Sequence, residues 1–495
     1  IARSSAGNNV RNIHVIMPGH LATYQTEPFY PPFVDRLRGA RALRFMDWSR
    51  TNSQIMNINW SERTNPNQAS QTDSRGVAYE YTIDLANEVG ADPWLNIPHR
   101  ANDAYITELA RLVLARLNPN LKVYLEYSNE LWNGQFTQKN YATTTGVALG
   151  LDTSATPSSQ DRAGRKFVAK RSADIFRIFE GVFDAQSNRL VKVIPSQAGS
   201  ATVASEILQT FSLPSVISVI DGSIVPINPT GVGASALAIA PYFGGGSNSL
   251  ADSIGNAGEI DTITVSEILD RLENTYLPTT INQIMPTNKP VADQYGLTLI
   301  AYEGGSVLRA NGNTTISVSY QNNDVLTQKL IAASRDPRMY GIYERYLDAW
   351  TTLTGGNGIF NHFLYVDEPT KFGSWGALEY LTQPSAEAHR FRALFEHYNL
   401  PVPPAPGVTP PSTPVLSVTP STGLSFSAQV GSTIPVTQTF TIQNTGSGTM
   451  NWTVGESIPW LTVSSASGAG NTTITVTANP TSLAAGIYGP FPITI

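Results

Sequence analysis

The chain has 495 residues, of which 41% are hydrophobic and 14% are charged, and it carries a formal net charge of -6 with no cysteine. This length exceeds what one compact core can organise, so we expect one large domain and at least one smaller domain. A net negative charge without a basic run excludes nucleic acid and anionic membranes as partners, and the lack of cysteine excludes disulfides, thiolate zinc sites and cysteine nucleophiles.

Eight short apolar runs alternate with longer amphipathic segments up to about residue 400, a pattern typical of repeated strand and helix units. The runs predict strands at Asn12–Met17, Ala42–Met46, Pro93–Ile97, Lys122–Tyr127, Leu190–Ile194, Ala236–Ala240, Leu297–Tyr302 and Ile359–Tyr365. Eight such strands predict an α/β fold, a closed (β/α)8 TIM barrel over residues 1–400. An open doubly wound sheet is the alternative, but no glycine-rich phosphate loop follows the first strand.

Helices are predicted between most of these strands. They span Pro32–Arg38, Val77–Val89, Ala104–Leu117, Arg162–Phe183, Ser200–Phe211, Val265–Tyr276 and Asn323–Ala349. For Val77–Val89, the expected N-terminal caps are Asp73 and Ser74 and the expected end is Gly90. No apolar run reaches the ~20 residues of a membrane span. No signal peptide opens the sequence, so we expect a trimmed precursor or a removed upstream module.

The composition changes at Pro401. Residues 401–414, PVPPAPGVTPPSTP, are rich in proline and predict a semi-rigid extended linker. Residues 415–495 alternate with the two-residue period of strands between Gly, Ser and Asn turns, which predicts a small antiparallel β-sandwich. Trp452 and Trp460 are expected in its core, and no aromatic platform for sugar binding is evident.

Two glutamates stand at the carboxyl ends of predicted strands, where barrel active sites are built. Strand alternation in KVYLEYSNELWN places Glu126 and Glu130 on the face opposite Val123 and Leu125. In LTLIAYEGG, an apolar strand leads to Glu303 and two glycines permit a sharp turn after it. Either glutamate alone could be an ordinary loop or capping carboxylate. Together they fit the carboxyl pair that flanks a glycosidic bond, ~5–5.5 Å apart in retaining enzymes.

The segment YLEYSNELW resembles the fourth-strand signature of clan A glycoside hydrolases, in which a buried Glu is followed by two residues and then Asn-Glu. The resemblance covers about residues 12–395. It implies a retaining enzyme with Glu130 as acid/base and Glu303 as the seventh-strand nucleophile. Glu130 is followed by Leu131-Trp132, where family 5 members commonly have Pro, so the specific family stays open. The other matched residues are Arg44 on the second strand, His99 after the third, Tyr242 after the sixth and Trp375 past the eighth.

Physical roles follow for these groups. A cationic Arg44 would keep Glu303 ionised for attack, and Glu130 would start as the general acid and then become the base. Asn129 would hydrogen-bond the sugar 2-hydroxyl. The residues expected to contact sugar rings are Trp48, Trp132 and Trp375.

Several of these residues could instead have purely structural roles. Arg44 could merely pair with Glu126, and His99 could be a core histidine. Trp48, Trp60, Trp94 and Trp132 could all be core residues. The pair Asp367 and Glu368 suggests a metal, but a short acidic pair in a loop is usually solvated.

We therefore expect a secreted bacterial endo-β-glycanase that cleaves β-1,4-glucan, with mannan, xylan or β-1,3-glucan as alternative substrates. A non-catalytic glycan-binding barrel has no need of both glutamates. An inverting hydrolase or a uronate lyase is a further alternative, but lyases need cations, and the strand ends offer little beyond Arg44 and Arg100. No cofactor or metal, a polysaccharide partner and a monomer are expected. The tail, residues 415–495, resembles the BACON-like immunoglobulin-type modules of bacterial carbohydrate-active enzymes.

Overall fold

The computed structural model describes residues 26–52, 58–68, 70–72, 74–246, 249–310, 323–406, 416–420, 423–444 and 449–495, with residues 16, 21, 23, 24 and 414. The chain divides into two compact units, residues 1–393 and 394–495. Half of the predicted linker 401–414, residues 407–413, lies outside the described residues. The domain limits drawn from the sequence stay predictions.

A six-stranded parallel sheet lies at the centre of the first unit. Its strands, in sheet order, are β1 (Ala42–Arg44), β2 (Asp92–Ile97), β3 (Val123–Tyr127), β4 (Leu190–Pro195), β7 (Ala236–Ile239) and β8 (Thr298–Ala301), and a separate antiparallel hairpin comprises β5 (Ser215–Ile217) and β6 (Ile224–Pro226). The order of the strands in the sheet follows their order in the chain. A doubly wound sheet would reverse its order at one point, so this arrangement agrees with part of a barrel.

The remaining two predicted strands have different outcomes. The segment Ile359–Tyr365 is not a strand but contributes a single parallel bridge, from Phe360 to Ala301. The predicted strand Asn12–Met17 lies, apart from residue 16, outside the described residues. Of the eight predicted strands, the described residues therefore contain six as strands and one as a single bridge. Closure of the barrel stays a prediction.

Helices flank the sheet strands along the chain. Their bounds are α1 Pro31–Asp35, α2 Tyr79–Val89, α3 Asp103–Arg116, α4 Thr137–Ala148, α5 Pro157–Phe183, α6 Ala201–Phe211, α7 Leu250–Asn256, α8 Val265–Arg271, α9 Leu277–Thr279, α10 Lys289–Gln294, α11 Asp324–Arg335, α12 Arg338–Thr354 and α13 His389–Glu396. Within the described ranges, none of the helices combines the length and apolar composition that crossing a bilayer requires.

Two details of the helix predictions were wrong. Helix α2 starts after Ala78, which makes no side-chain cap, so Ser74 does not cap it, and Asp73 lies outside the described residues. The predicted helix Asn323–Ala349 is two helices, because α11 ends at Arg335 and α12 starts after Pro337. Proline lacks the N–H that a continuous helix needs. The predicted end of α2 is confirmed, with Gly90 in the left-handed conformation at φ 77°.

The interior of the parallel sheet combines aromatic and aliphatic side chains with two charged ones. Trp94 stacks on Tyr124 with ring centroids 5.0 Å apart. The same buried cluster contains Val193, Ala236, Ala238, Ile300 and Tyr302. Arg44 from β1 and the fully buried Glu126 from β3 lie within this region and contact each other. Charged groups are buried in a sheet interior only when they are paired, so this pair has a specific arrangement.

The second unit contains two antiparallel sheets. Its strands are β9 (Leu416–Thr419), β10 (Val436–Asn444), β11 (Asn451–Thr453), β12 (Leu461–Val463), β13 (Ser467–Ala469) and β14 (Thr472–Ala478), ordered β12-β14-β10-β9 in one sheet and β11-β13 in the other. Trp452 is buried in the core, as predicted, whereas Trp460 is only partly buried at its margin. Trp460 meets Tyr488 and Phe491 edge to face, and both partners are partly exposed, an aromatic group that the sequence pattern did not reveal.

Candidate active site

The two predicted glutamates follow parallel strands at the same end of the sheet. Glu130 lies three residues beyond β3 and Glu303 two residues beyond β8. The charge of Glu130 acts on Glu303, and the hydroxyl of Tyr302, the residue before Glu303, donates to Glu130 Oε1 at 3.0 Å. The structure therefore brings the two carboxyl groups into one site.

The turn that presents Glu130 has a strained backbone. Ser128 and Glu130 adopt positive φ angles of 58° and 42°. Each such residue costs about 1–3 kcal/mol when it is not glycine, and strain of this kind is concentrated at functional sites. Asn133 stabilises the turn, since its backbone N–H donates to the Glu130 carbonyl at 2.8 Å and its side-chain amide donates to Glu130 Oε2 at 2.9 Å.

Glu303 is held by two donors from other strands. Arg44 Nη1 donates to Oε1 at 2.5 Å, and the Tyr242 hydroxyl donates to Oε2 at 2.9 Å. Burial raises the pKa of Glu303 to about 7; Arg44 and Tyr242 lower it, and the charge of Glu130 raises it further. The predicted contact with Arg44 is present, but desolvation outweighs the effect of that cation on the pKa.

Arg44 contacts both carboxylates that the sequence offered as its partners. Its Nε and Nη2 donate to the two oxygens of Glu126, each at 3.0 Å, while Nη1 reaches Glu303. Trp94 Nε1 and Asn96 Nδ2 also donate to Glu126 Oε2, at 2.8 and 2.9 Å. Burial would lower the pKa of Arg44, but Glu126 and Glu303 raise it above its usual value, so the guanidinium is charged.

Asn129 is oriented by neighbours that the sequence did not identify. Its Oδ1 accepts from Arg44 Nη2 at 2.8 Å, and its Nδ2 donates to Asn52 Oδ1 at 2.9 Å. Asn52 Oδ1 also accepts from Gln138 Nε2 at 2.8 Å. Because Arg44 can only donate and Asn52 Oδ1 can only accept, the side-chain amide of Asn129 has one permitted orientation.

Two of the three predicted sugar-contacting tryptophans pack against tyrosines that hydrogen-bond the glutamates. Trp132 lies against Tyr302 with ring centroids 6.4 Å apart, and Trp375 meets Tyr242 edge to face at 5.9 Å. Trp48 lies elsewhere: it stacks on Phe33 at 6.4 Å, against a separate buried cluster. The contacts of Trp48 are those of a core residue, and its proposed contact with sugar stays a prediction.

His99 is buried and packs against Tyr141. Only 3% of its surface is exposed, and its ring meets Tyr141 edge to face at 5.2 Å. Burial, with a smaller effect of Arg100, lowers the pKa of His99 to about 4, so the ring is neutral. Its Nδ1 has no hydrogen-bond partner among the described residues. These contacts agree with the alternative that His99 is a core histidine.

The turn after Glu303 requires glycine at two positions. A Cβ on Gly304 would lie 2.5 Å from the Phe360 ring, and Gly305 has φ 136°. Tyr346 from α12 fastens this turn, since its hydroxyl accepts from the Gly305 N–H at 3.2 Å and donates to the Pro241 carbonyl at 2.7 Å. One hydroxyl thus ties the segment that carries Glu303 to the segment that carries Tyr242.

No group of three or more His, Asp or Glu side chains in the described ranges is arranged to bind a metal. Asp367 and Glu368 are therefore not part of such a group. The chemistry that the site offers rests on its two carboxyl groups, the guanidinium of Arg44 and the hydroxyls of Tyr242 and Tyr302.

Residues 415–489 match the family model of the viral BACON domain. This match confirms the BACON-like resemblance of the tail, and it covers only that segment. None of the curated proteins matched the sequence. Membership of family 5 in clan A stays a prediction for the first unit.

Several solved glycoside hydrolases resemble the chain distantly. The modular endo-beta-1,4-mannanase of Cellulomonas fimi, from glycoside hydrolase family 26, has 11% identity and a TM-score of 0.31 over 90% of this chain and 95% of that one. A calcium-binding mutant of Bacteroides uniformis beta-glucuronidase 2 has 13% identity and a TM-score of 0.30; the match covers 82% of this chain but 37% of the length of that protein. The GH53 catalytic domain of Ignisphaera aggregans has 9% identity and a TM-score of 0.25 over 69% of this chain and 88% of that one. Similarities this distant assign neither activity nor substrate.

Proposed function

We propose that the first unit is a retaining β-glycoside hydrolase, with Glu303 as nucleophile and Glu130 as general acid and base. The observation that carries the proposal is the hydrogen bond that Tyr302 donates to Glu130, because Tyr302 directly precedes Glu303 in the chain. Two carboxyl groups on one site, each held by its own donors, are what double displacement at an anomeric carbon requires. A protein that only binds glycan needs neither.

The roles follow from the contacts. Arg44 and Tyr242 hold the Glu303 carboxylate, which attacks the anomeric carbon while Glu130 donates its proton to the departing glycosidic oxygen. The bond from Glu303 to the sugar is then broken by water, which attacks the same carbon as Glu130 takes up the proton of that water. Each cycle consumes one water and returns both carboxyl groups to their starting states.

We propose a neutral β-linked polysaccharide as the substrate, with β-1,4-glucan favoured and mannan, xylan and β-1,3-glucan as alternatives. Arg44 donates hydrogen bonds to Glu126, Glu303 and Asn129, so its guanidinium is not available to bind a substrate carboxylate. This disfavours a uronate lyase. The second N–H of the Asn129 amide would donate to the sugar 2-hydroxyl, and Trp132 and Trp375 would contact the sugar rings.

We also propose that residues 1–400 form the catalytic domain, 401–414 a linker and 415–495 an accessory domain of a secreted monomer. The break in composition at Pro401 supports this division. The BACON-like match at residues 415–489 lies wholly within the proposed accessory domain.

The test is a polysaccharide screen with wild type, Glu130→Ala, Glu303→Ala and a control, Glu108→Ala, at a surface carboxylate paired with Arg111. Both site variants should lose at least 1000-fold in kcat/KM while the control stays active. Azide should rescue the two variants with opposite product stereochemistry: Glu303→Ala gives a glycosyl azide of inverted configuration by single displacement, and Glu130→Ala gives one of retained configuration. Activity that survives both substitutions would refute the proposal.

A further inference from the structure

Glu126 is a buried carboxylate that the proposed reaction does not use. It is fully buried inside the sheet, next to β2 in register with Asn96, and its two oxygens accept from three different residues. The Arg44 guanidinium supplies two N–H groups at 3.0 Å, Trp94 supplies one at 2.8 Å and Asn96 supplies one at 2.9 Å. A carboxylate with so many partners is placed with little freedom to move.

All of these partners are donors. An ionised carboxylate accepts only, whereas a protonated one must also donate. Oε2 of Glu126 already accepts from Arg44, Trp94 and Asn96, so a proton on this oxygen would displace one of these hydrogen bonds and point at an N–H group. The arrangement therefore fits a Glu126 that is ionised, even though burial raises its pKa against the opposing effect of Arg44.

Arg44 divides its N–H groups unequally between two carboxylates. Glu126 receives the side of the guanidinium that presents Nε and Nη2, and Glu303 receives Nη1 alone. The paired contact fixes the plane of the guanidinium, because two parallel N–H···O bonds define an orientation that one bond does not. Nη1 then reaches Glu303 as a consequence of where Glu126 holds the rest of the group.

We propose that Glu126 is a positioning residue, whose carboxylate aims Arg44 at Glu303 and neutralises part of the positive charge that Glu303 would otherwise receive. The inference rests on the proposed function, in which Glu303 is the nucleophile. A fully available Arg44 would make Glu303 a weaker base and a weaker nucleophile. Sharing the cation keeps Glu303 bound but reactive.

The titratable and charged groups that face Glu303 come from four segments of the sheet. Removal of the Glu126 charge changes one of them and leaves the rest in place. The groups are Arg44 on β1, Glu126 on β3, Glu130 after β3, Tyr242 after β7 and Tyr302 after β8.

The principal test is the pH profile of kcat/KM for Glu126→Gln, which removes the charge and keeps one acceptor oxygen. With the full charge of Arg44 available, Glu303 should ionise at lower pH, and the acidic limb should move down by about 1 pH unit. Trp94→Phe is the matched control, because it removes one hydrogen bond to Glu126 and no charge. Its acidic limb should stay within about 0.3 pH unit of wild type. An unshifted limb in Glu126→Gln, or an equal shift in Trp94→Phe, overturns the proposal.

A second measurement is independent of turnover. In protein labelled with ¹³C at the glutamate carboxyl carbons, the Glu303 signal is identified by its loss in Glu303→Gln, and its titration midpoint is followed in wild type and Glu126→Gln. A downward shift supports the role of Glu126 even if no polysaccharide is cleaved, whereas an unchanged midpoint in an active enzyme refutes that role alone. The failures of the two proposals are thus distinguishable.

Glu126→Asp covers the case in which Glu126→Gln does not fold. Aspartate keeps the charge but is too short to hold the paired contact with Arg44. The acidic limb should therefore stay near that of wild type while kcat falls about tenfold. Wild-type kcat in folded Glu126→Asp would show that aiming Arg44 does not depend on Glu126.

Discussion

Replacing Tyr242 by Phe removes one hydroxyl and leaves the ring in place. That hydroxyl donates to Glu303 Oε2 at 2.9 Å, and because burial raises the pKa of Tyr242 well above its usual value, the hydroxyl keeps its proton across the working range. A hydrogen bond to a charged group contributes about 1.5–3 kcal/mol. One pKa unit corresponds to about 1.36 kcal/mol, so loss of the bond should raise the pKa of Glu303 by roughly 1–2 units.

The assay is the pH dependence of kcat/KM on a soluble polysaccharide that wild type cleaves. The pKa of Glu303 is about 7 before the change, so the acidic limb should move upward in Tyr242→Phe. At about pH 6, where Glu303 is mostly protonated in both proteins, kcat/KM should fall by roughly 10–100-fold. At the alkaline plateau, where Glu303 is ionised in both, the loss should be smaller.

Tyr127→Phe is the matched control for this change. It removes the same group from a buried tyrosine of the same sheet, where the hydroxyl donates to the His99 carbonyl at 3.0 Å and does not contact Glu303. Its acidic limb should coincide with that of wild type. If folded Tyr242→Phe shows the wild-type limb, Tyr242 does not stabilise ionised Glu303, and the reasoning from its contact fails.

Three further outcomes are expected. The folded protein binds the Glu303 proton more tightly than the unfolded chain, so the free energy of unfolding should fall by about 3 kcal/mol as pH rises from the usual Glu pKa to about 7. Glu303→Gln should flatten this fall in urea titrations at several pH values, and an equal slope in both proteins contradicts the raised pKa. Gly305→Ala should lower both Tm and kcat, because Gly305 has φ 136° and the new Cβ would lie 3.0 Å from Tyr343 Oη. Gly341→Ala, in open space on α12, should raise Tm. A higher Tm for Gly305→Ala than for Gly341→Ala refutes the steric argument. Trp452→Ala should destabilise the second unit by about 3–5 kcal/mol in calorimetry and leave polysaccharide cleavage intact; loss of cleavage would show that the first unit depends on the second.

The sequence was informative where the signal is local. Apolar runs of a few residues located six strands of the sheet, and the two glutamates were identified because each follows such a run at the end where barrel sites form. The contact of Arg44 with Glu303 was expected from the resemblance, and Glu126 was named as the alternative partner. The local pattern could not decide whether Arg44 pairs with Glu126 or with Glu303. In the structure, Arg44 hydrogen-bonds both.

The residues that sequence reasoning missed are placed by tertiary contacts. Asn52 and Gln138 orient Asn129 from a loop and from α4, and neither segment carries a periodicity that points to the site. Tyr302 was counted only as the last residue of a strand, although its hydroxyl holds Glu130. The sequence predicted that Arg44 keeps Glu303 ionised, but burial raises the pKa of Glu303, because the shift depends on how completely the group is desolvated.

The contact of Tyr302 with Glu130 has a consequence for how this scaffold can vary. Tyr302 and Glu303 are consecutive, so the segment after β8 contacts one acid through the Tyr302 hydroxyl and carries the other. A change at the end of β8 that moves Tyr302 would therefore disturb Glu130 as well as Glu303, although Glu130 follows β3. Loops that do not touch this contact can vary in length and sequence while the relation between the two acids is kept.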